Sequence, residues 1–429
     1  MKIFLLLFLA PFLAHAEGLT LDQAVSEAMQ NSPRVMQADA TAHEASWKKL
    51  EALAAHLPHF SAEAVRYLDV KYEFLTVNFS GNKVAFPSGV PQTAATLRAS
   101  LLLFDGLSSI SQYGAASLNA EAAELLARRE RFQVEQMVRE RYYEALATQI
   151  LLGVAEQNIA TLTNHLNLAE AMVKSGYSTR FDLLRVQAQL DEAKAERLVA
   201  EDNMFLARSN LSEAMALTGD TRTLSGDLPL PEVSSLPEKL ALDPSTRDDL
   251  LAATKRENAS EKNSSSAIGS LFPKVTLFAE QNHYKFGSFD PGIYPNSQFE
   301  NAYSVGFALS WNIFDGGASI AKAKEAAWAA EQDAQKLRAT LISAPEDFEL
   351  WKRRFISNAS LFAARKRSVE ESEESVRLAS VGLKAGARTS SEFLDAELEL
   401  FRSRAGLIRA QADADEAWLK LELAAGRKL

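Results

Sequence analysis

The chain has no cysteine in its 429 residues, which excludes structural disulfides, thiolate-bound metals and a lipid-modified cysteine. Proline is sparse where it would matter most: none occurs between Gly106 and Ser175. Positive charge is also in deficit. A formal net charge of −10 argues against nucleic acid, whose phosphates need a basic footprint. No Gly-rich phosphate loop, nucleophile elbow or metal-spaced cluster is present, so no catalysis, ATP binding, metal or cofactor is expected. Histidine is rare as well. His56 and His59 lie three apart with Pro58 between them, and His43, His165 and His283 are isolated. Long apolar runs are missing after the N-terminus, so no transmembrane helix is expected in the mature chain.

The N-terminus itself has the pattern of an export signal. Lys2 precedes the apolar run Ile3 to Leu13, and Ala14-His15-Ala16 supplies an A-x-A site. Residues 1–16 are therefore expected to be a signal peptide cleaved after Ala16.

What remains is rich in Ala, Leu, Glu, Gln, Lys and Arg, the composition of long, closely packed helices. The sequence also repeats itself. Phe104-Asp105-Gly106 returns as Phe314-Asp315-Gly316, and Lys174-Ser175-Gly176 returns as Lys384-Ala385-Gly386, both 210 positions on. Two matches at one offset point to an internal duplication. The expected organisation is a first repeat over 17–224, a Pro-rich linker over 225–245 and a second repeat over 246–429. Each repeat reads as helix, strand pair, very long helix, turn and helix, with strand pairs at 60–104 and 273–314.

The strands show as period-two alternation. Tyr303, Val305, Phe307, Leu309 and Trp311 alternate with Ser304, Gly306, Ala308 and Ser310. Leu68, Val70 and Tyr72 alternate with Asp69, Lys71 and Glu73. These two apolar rows are expected to face lipid. Thr93–Phe104 and Lys274–Phe286 alternate more weakly, and the loops Leu75–Gln92 and Gly287–Asn301 carry turn residues. The helices are expected over Leu21–His56, Gly106–Ser175, Phe181–Thr218, Arg247–Ser270, Gly317–Leu383 and Ser391–Ala425. About 70 residues of helix would extend roughly 105 Å. Pro345 lies deep in the second long helix and predicts a kink or break near Ser343–Pro345.

Strands in lipid must satisfy every backbone group, and the smallest barrels use about eight. Four strands leave two open edges, so a ring of at least two subunits is expected. A small soluble sheet on a coiled-coil stalk is the competing possibility.

The chain resembles the TolC-type outer-membrane efflux proteins. The carriers are Leu19-Thr20-Leu21-Asp22-Gln23-Ala24-Val25, Leu57-Pro58, the two Phe-Asp-Gly motifs, and the turns at Gly176 and Gly386. The resemblance implies a mainly α fold with transmembrane β. Long antiparallel coiled coils would form an α-barrel, and three copies would supply twelve strands to one β-barrel. It implies the outer membrane of a Gram-negative bacterium, with most of the chain in the periplasm and contact with outer-membrane lipid. It also implies a homotrimer working with a periplasmic adaptor (membrane fusion) protein and an inner-membrane pump of the resistance-nodulation-division or ATP-binding-cassette type. The expected role is the exit duct of a tripartite efflux system for small molecules. The outer-membrane channel of a type I protein secretion system is the alternative. A non-pore periplasmic scaffold is the reading from a different class.

By the same resemblance, Glu392 and Asp395 fall where an acidic ring lines the periplasmic constriction. Positions three apart share a helix face, although an ordinary solvated face would look the same. Asp182 and Arg388 fall where a closing tie lies, and Arg180, Gly176, Gly386 and Thr389 belong to the turns that would meet adaptor and pump. Leu383 stands where closed tips of this family carry a tyrosine, so that hydrogen bond is lacking.

Overall fold

The duplication in the sequence is a duplication of structural elements. The computed structural model describes residues 18–68, 73–88, 91–220, 222–231, 240–285 and 300–429. In chain order these are α1 (Leu21–Asn31), α2 (Pro33–Ala54), β1 (His59–Arg66), β2 (Glu73–Phe79), β3 (Asn82–Ser88) and β4 (Thr93–Phe104). Then come α3 (Ser108–Lys174), α4 (Arg180–Ala214), α5 (Asp248–Gly269), β5 (Lys274–Lys285), β6 (Glu300–Ser310), α6 (Ala318–Lys384) and α7 (Ser390–Ala425). Helices α3 and α6 each hold 67 residues and occupy equivalent positions in the two halves. Each is opened by the same device. The Asp105 carboxylate accepts from the Ser109 amide at 2.9 Å, and Asp315 accepts from the Ser319 amide at 2.9 Å. Aspartate is suited to this because its side-chain oxygen meets an amide that has no helical partner.

The described residues divide into two compact units, and both units draw on both repeats. The first comprises 18–41, 124–251 and 339–429. Its largest core gathers Leu19, Ala28, Val134, Val138, Leu146 and Leu211, where α1, α3 and α4 meet. Small residues such as Ala24, Ala28 and Ala145 are wholly buried there, which lets the helices approach closely. Leu19 and Leu224 form a parallel bridge, and the buried Tyr142 hydroxyl donates to the Leu19 carbonyl at 2.8 Å. A smaller core joins Phe348 of α6 to Leu421 and Ala425 of α7 and to Leu240.

The second unit comprises 42–123 and 252–338 and holds the sheet. Four antiparallel strands lie in the order β1-β4-β5-β6. The register sets the two faces, because residues directly opposite one another point the same way. One row runs Phe60, Ala99, Ala279, Val305, and another runs Ala62, Leu97, Gln281, Tyr303. The alternate rows run Ser61, Arg98, Glu280, Ser304 and Glu63, Thr96, Asn282, Ala302. The sheet is thus mainly apolar on one side, Gln281 excepted, and mainly polar on the other, where Arg98 lies over the Phe278 ring. On the polar side Thr96 donates to Asn282 at 2.7 Å, and Arg98 lies 3.9 Å from Glu280. The β1 and β6 strands each pair on one side only among the described residues.

Several expectations need correction. The first strand of the sheet is His59–Arg66, not the Leu68–Phe74 alternation; Leu68 follows the strand, while Val70 and Tyr72 lie outside the described residues. Alanines at 62 and 64 conceal the apolar row of this strand, and its pairing with β4 decides the matter. Part of the expected loop 75–92 belongs to the separate hairpin β2–β3. Ser80 and Gly81 take φ of 49° and 91° there, the two positive values a type I′ turn requires. The last strand ends at Ser310, so Trp311 stands just beyond it and donates its indole N–H to the Leu271 carbonyl at 3.1 Å. The expected single helix over Leu21–His56 is interrupted at Ser32, which takes an extended ψ of 118° because Pro33 follows it. Residues 1–16, 232–239 of the linker and 287–299 of the last loop lie outside the described residues. Among the described residues no helix is long and apolar enough to cross a membrane.

Of the kink or break expected at Ser343–Pro345, the break does not occur: helix α6 runs on through Pro345. The proline removes the amide that would bond the Leu341 carbonyl. Buried Ala344 and Phe348 flank it and hold the segment in register through packing. Pro345→Ala should therefore stabilise the protein by about 1–3 kcal/mol. The midpoint of denaturant unfolding in detergent should rise, whereas a lowered midpoint would mean that the native backbone is built around the proline.

Candidate functional site

The two helical turns that close the long helices are built alike, and both belong to the first unit. After α3, the Gly176 amide donates to Val173 and the Tyr177 amide to Met172, and Gly176 takes φ +80°. After α6, the Gly386 amide donates to Leu383 and the Ala387 amide to Gly382, with Gly386 at φ +69°. Both glycines end a helix in the left-handed conformation, where a Cβ is disfavoured. The next helix then starts on a capping box. Thr179 accepts from the Asp182 amide while the Asp182 carboxylate accepts from the Thr179 amide; Thr389 and Glu392 do the same.

These caps fix the carboxylates. Asp182 accepts from the Thr179 amide at 3.1 Å, the Thr179 hydroxyl at 2.7 Å and the Ser178 hydroxyl at 3.0 Å. The Thr179 hydroxyl and amide hold its carboxyl below the usual range. The Thr389 amide bond, at 2.9 Å, does the same for Glu392.

The expected tie between Arg388 and Asp182 is not the pairing made within one chain. The Arg388 stem instead packs over Gly382, where an added Cβ would meet its Cγ at 2.8 Å. The ion pair that bridges the two turn helices is Arg185 of α4 with Asp395 of α7, at 2.7 Å. Arg185 was not singled out in the sequence, although a signal existed. It stands 210 positions before Asp395, so the duplicated site carries opposite charges in the two repeats. Asp395 is thereby compensated, and Glu392 is engaged by its own cap. Arg180 opens α4, next to its Thr179 cap.

Beneath the turns, Leu394 packs with Leu162, Val186 and Leu190, and the His165 ring lies 4.5 Å from that of Phe393. Burial pushes the His165 imidazole down. Tyr177 and Phe181, by contrast, are 83% and 72% exposed, large aromatic surfaces on a turn that needs neither for its own fold. In the second unit Tyr303, Val305, Phe307 and Leu309 of β6 are likewise open to the outside in a single chain, as is Phe60 of β1. Among the described residues no group of three or more His, Asp or Glu is placed to hold a metal.

The profile of the family described as "Outer membrane efflux protein" matches residues 24–217 and 244–427. The chain is 25% identical over 311 residues to the alkaline protease secretion protein AprF of Pseudomonas aeruginosa, covering 67% of this chain and 60% of that protein. It is 24% identical to the outer membrane protein TolC of Vibrio cholerae, over 66% of each. It is also 25% identical to the pyoverdine export outer membrane protein OpmQ of Pseudomonas putida, over 95% of this chain and 85% of that one. The matched stretch thus spans somewhat under two thirds of AprF and TolC. Among solved structures, CusC superposes with a TM-score of 0.78 at 18% identity, covering 95% of this chain and 92% of that one. VceC of Vibrio cholerae gives 0.76 at 19% identity, covering 95% and 96%.

The capping boxes give the turns a testable weakness. Thr179→Ala and Thr389→Ala should each cost about 1 kcal/mol of local stability, speeding amide exchange at the adjoining turn about five-fold. Acid should act likewise. Asp182 and Glu392 are depressed in the folded state, so their contribution is present above the ordinary carboxylate range and lost as pH falls through the lowered values. Hydrogen exchange measured against pH, corrected for intrinsic rates, should show both turns loosening at low pH. Equal protection in the alanine variants would contradict this.

Proposed function

Given that the chain belongs to the outer membrane efflux protein family, we propose that it forms, in three copies, the outer-membrane exit duct of an efflux assembly. The observation that carries this reading is the four-stranded sheet with one mainly apolar face and, among the described residues, two open edges. An apolar face with Phe60, Tyr303, Val305 and Phe307 exposed fits hydrocarbon, and edges that lack partners call for neighbouring strands. Three copies give twelve strands, an even number within the range of closed barrels. The polar rows carrying Arg98, Glu280, Thr96 and Asn282 would then line water, and Tyr303, Val305, Phe307 and Leu309 would face lipid.

The long helices would continue the duct through the periplasm, and their turns would form its narrow end. Tyr177 and Phe181 are exposed there, which suits an adaptor protein that packs on the turns. Gly176, Gly386, Thr389 and Arg180 would shape that docking surface. An inner-membrane pump supplies the energy; the duct itself works passively and catalyses nothing. Glu392 and Asp395 would stand at the aperture, with Arg185 offsetting one of the two charges. Arg185 and Asp395 are both substantially exposed, so their bond contributes about 0–1 kcal/mol per copy. A docking partner can undo a contact of that size.

Small-molecule export is favoured over protein secretion by coverage. OpmQ, named for pyoverdine export, aligns with 95% of the chain, whereas AprF, named for protease secretion, aligns with 67%.

Planar-bilayer recording tests the duct and its aperture together. The purified protein should open discrete channels. Arg185→Ala exposes an uncompensated Asp395 and should raise cation preference, while Asp395→Asn should lower it. An absence of channels would leave the scaffold reading, and identical selectivity in both variants would remove these residues from the aperture.

A further inference from the structure

Within the first unit, α3, α6, α7 and the connector Leu228–Pro231 enclose a recess of about 210 Å³. Gln411 straps the connector in place, its side-chain amide donating to the Leu228 carbonyl at 3.0 Å and the Pro229 carbonyl at 2.7 Å. Asp415 lines this recess. It is only 5% exposed, and its Oδ2 has no hydrogen-bond partner among the described residues.

An unpaired carboxylate in such a place is costly unless something answers it. The nearby charges do not. Arg139 of α3, which also lines the recess, donates to Glu422 at 2.7 Å, and that pair is neutral as a unit. Tyr143 of α3 contributes a phenol, whereas α6 and the connector bring Phe355, Pro229, Leu230 and Pro231, none of them charged. Aromatic surface completes the wall, with the Trp418 and Phe355 rings 4.9 Å apart. Tyr143 and Leu419 are shared with a second hollow of about 350 Å³. That hollow carries Glu140, Glu144, Asp413 and Glu416 against Arg141 and Arg409, and with Lys420 bonded to Glu140 at 2.5 Å a single acidic charge remains in excess.

We infer that this recess is a binding site for a guanidinium or ammonium group, seated on Asp415 with Trp418 as its aromatic wall. A carboxylate and a π-face are the two features that recognise such cations. The volume suits a fragment or a single basic side chain, and falls below that of drug-sized pockets. Nothing in the duct reading requires this site, and the site stands without it.

Burial pushes the Asp415 carboxyl up to about 8, so the free site holds a proton at neutral pH. A bound cation needs the ionised form, and binding therefore releases that proton. The folded state also keeps the proton where the unfolded chain has lost it. Stability is accordingly lost as pH rises from the ordinary carboxylate range towards 8, and Asp415→Asn should remove that slope.

The test is calorimetric titration of the full protein in detergent with phenylguanidinium and, separately, N-acetylarginine amide. Saturable binding should tighten about tenfold between pH 7 and pH 9, since both probes stay charged and only Asp415 titrates. Asp415→Asn, nearly the same shape, should abolish the pH dependence and weaken binding, with circular dichroism verifying its fold. Trp418→Leu should weaken binding and keep the pH dependence. Binding of phenylguanidinium alone supports a site for free organic cations; binding of both probes supports one that also takes an arginine of another protein. No saturable binding by either probe at pH 9, or equal affinity in the Asn variant, would overturn the inference.

Discussion

Peptide groups that enter hydrocarbon must find partners within protein, because lipid offers none. In this chain that demand falls on β1 and β6, which close one side of themselves against β4 and β5 and, among the described residues, leave the other side open. The cross-strand register aligns Phe60, Leu97, Leu101, Leu277 and the Tyr303–Leu309 row on one face. An isolated copy therefore presents two unfavourable surfaces to water at once, a bare edge and an apolar face. Copies arranged edge to edge in lipid remove both. In the proposed duct, the ring and the membrane both answer that single requirement.

Duplication meets the rest of the design with little new sequence. The Asp105 and Asp315 caps start α3 and α6 in the same way, and the Gly176 and Gly386 turns end them in the same way. Departures from the repeat are then informative. Arg185 and Asp395 occupy equivalent positions with opposite charge, which joins two helices that a faithful copy would have set repelling. The capping boxes keep each turn rigid by itself, while the bond across them is exposed and weak. Stiff turns joined by a weak bond can separate without unfolding. Asp415 departs in another sense, as a buried carboxylate that the helical packing leaves unanswered.

Much of this was legible in the sequence because its signals are periodic or repeated. The 210-residue offset, the proline-free stretch of α3 and the β6 alternation need no tertiary knowledge. The strand His59–Arg66 shows no alternation in the sequence because Ala62 and Ala64 are too small to mark an apolar face. Pro33 outweighed helical periodicity at Ser32 through local sterics, yet Pro345 did not break α6, since packing around Phe348 offset the lost bond. At the turns, the caps could have been read from Thr179 and Thr389. The partner of Asp395 was signalled only by the 210-residue offset to Arg185, and the offset alone does not say that the two helices lie side by side.

The absence of native cysteine makes the central claim open to one direct measurement. A single cysteine at Ser61 on the polar face of the β1 edge can be paired with one at Ala302, Ser304 or Ala308 on the same face of β6. If sister subunits complete the sheet, oxidation of the protein in outer-membrane vesicles should join chains covalently at one of these registers, with three copies as the largest product. Chains that stay monomeric under oxidation at every register would contradict the account.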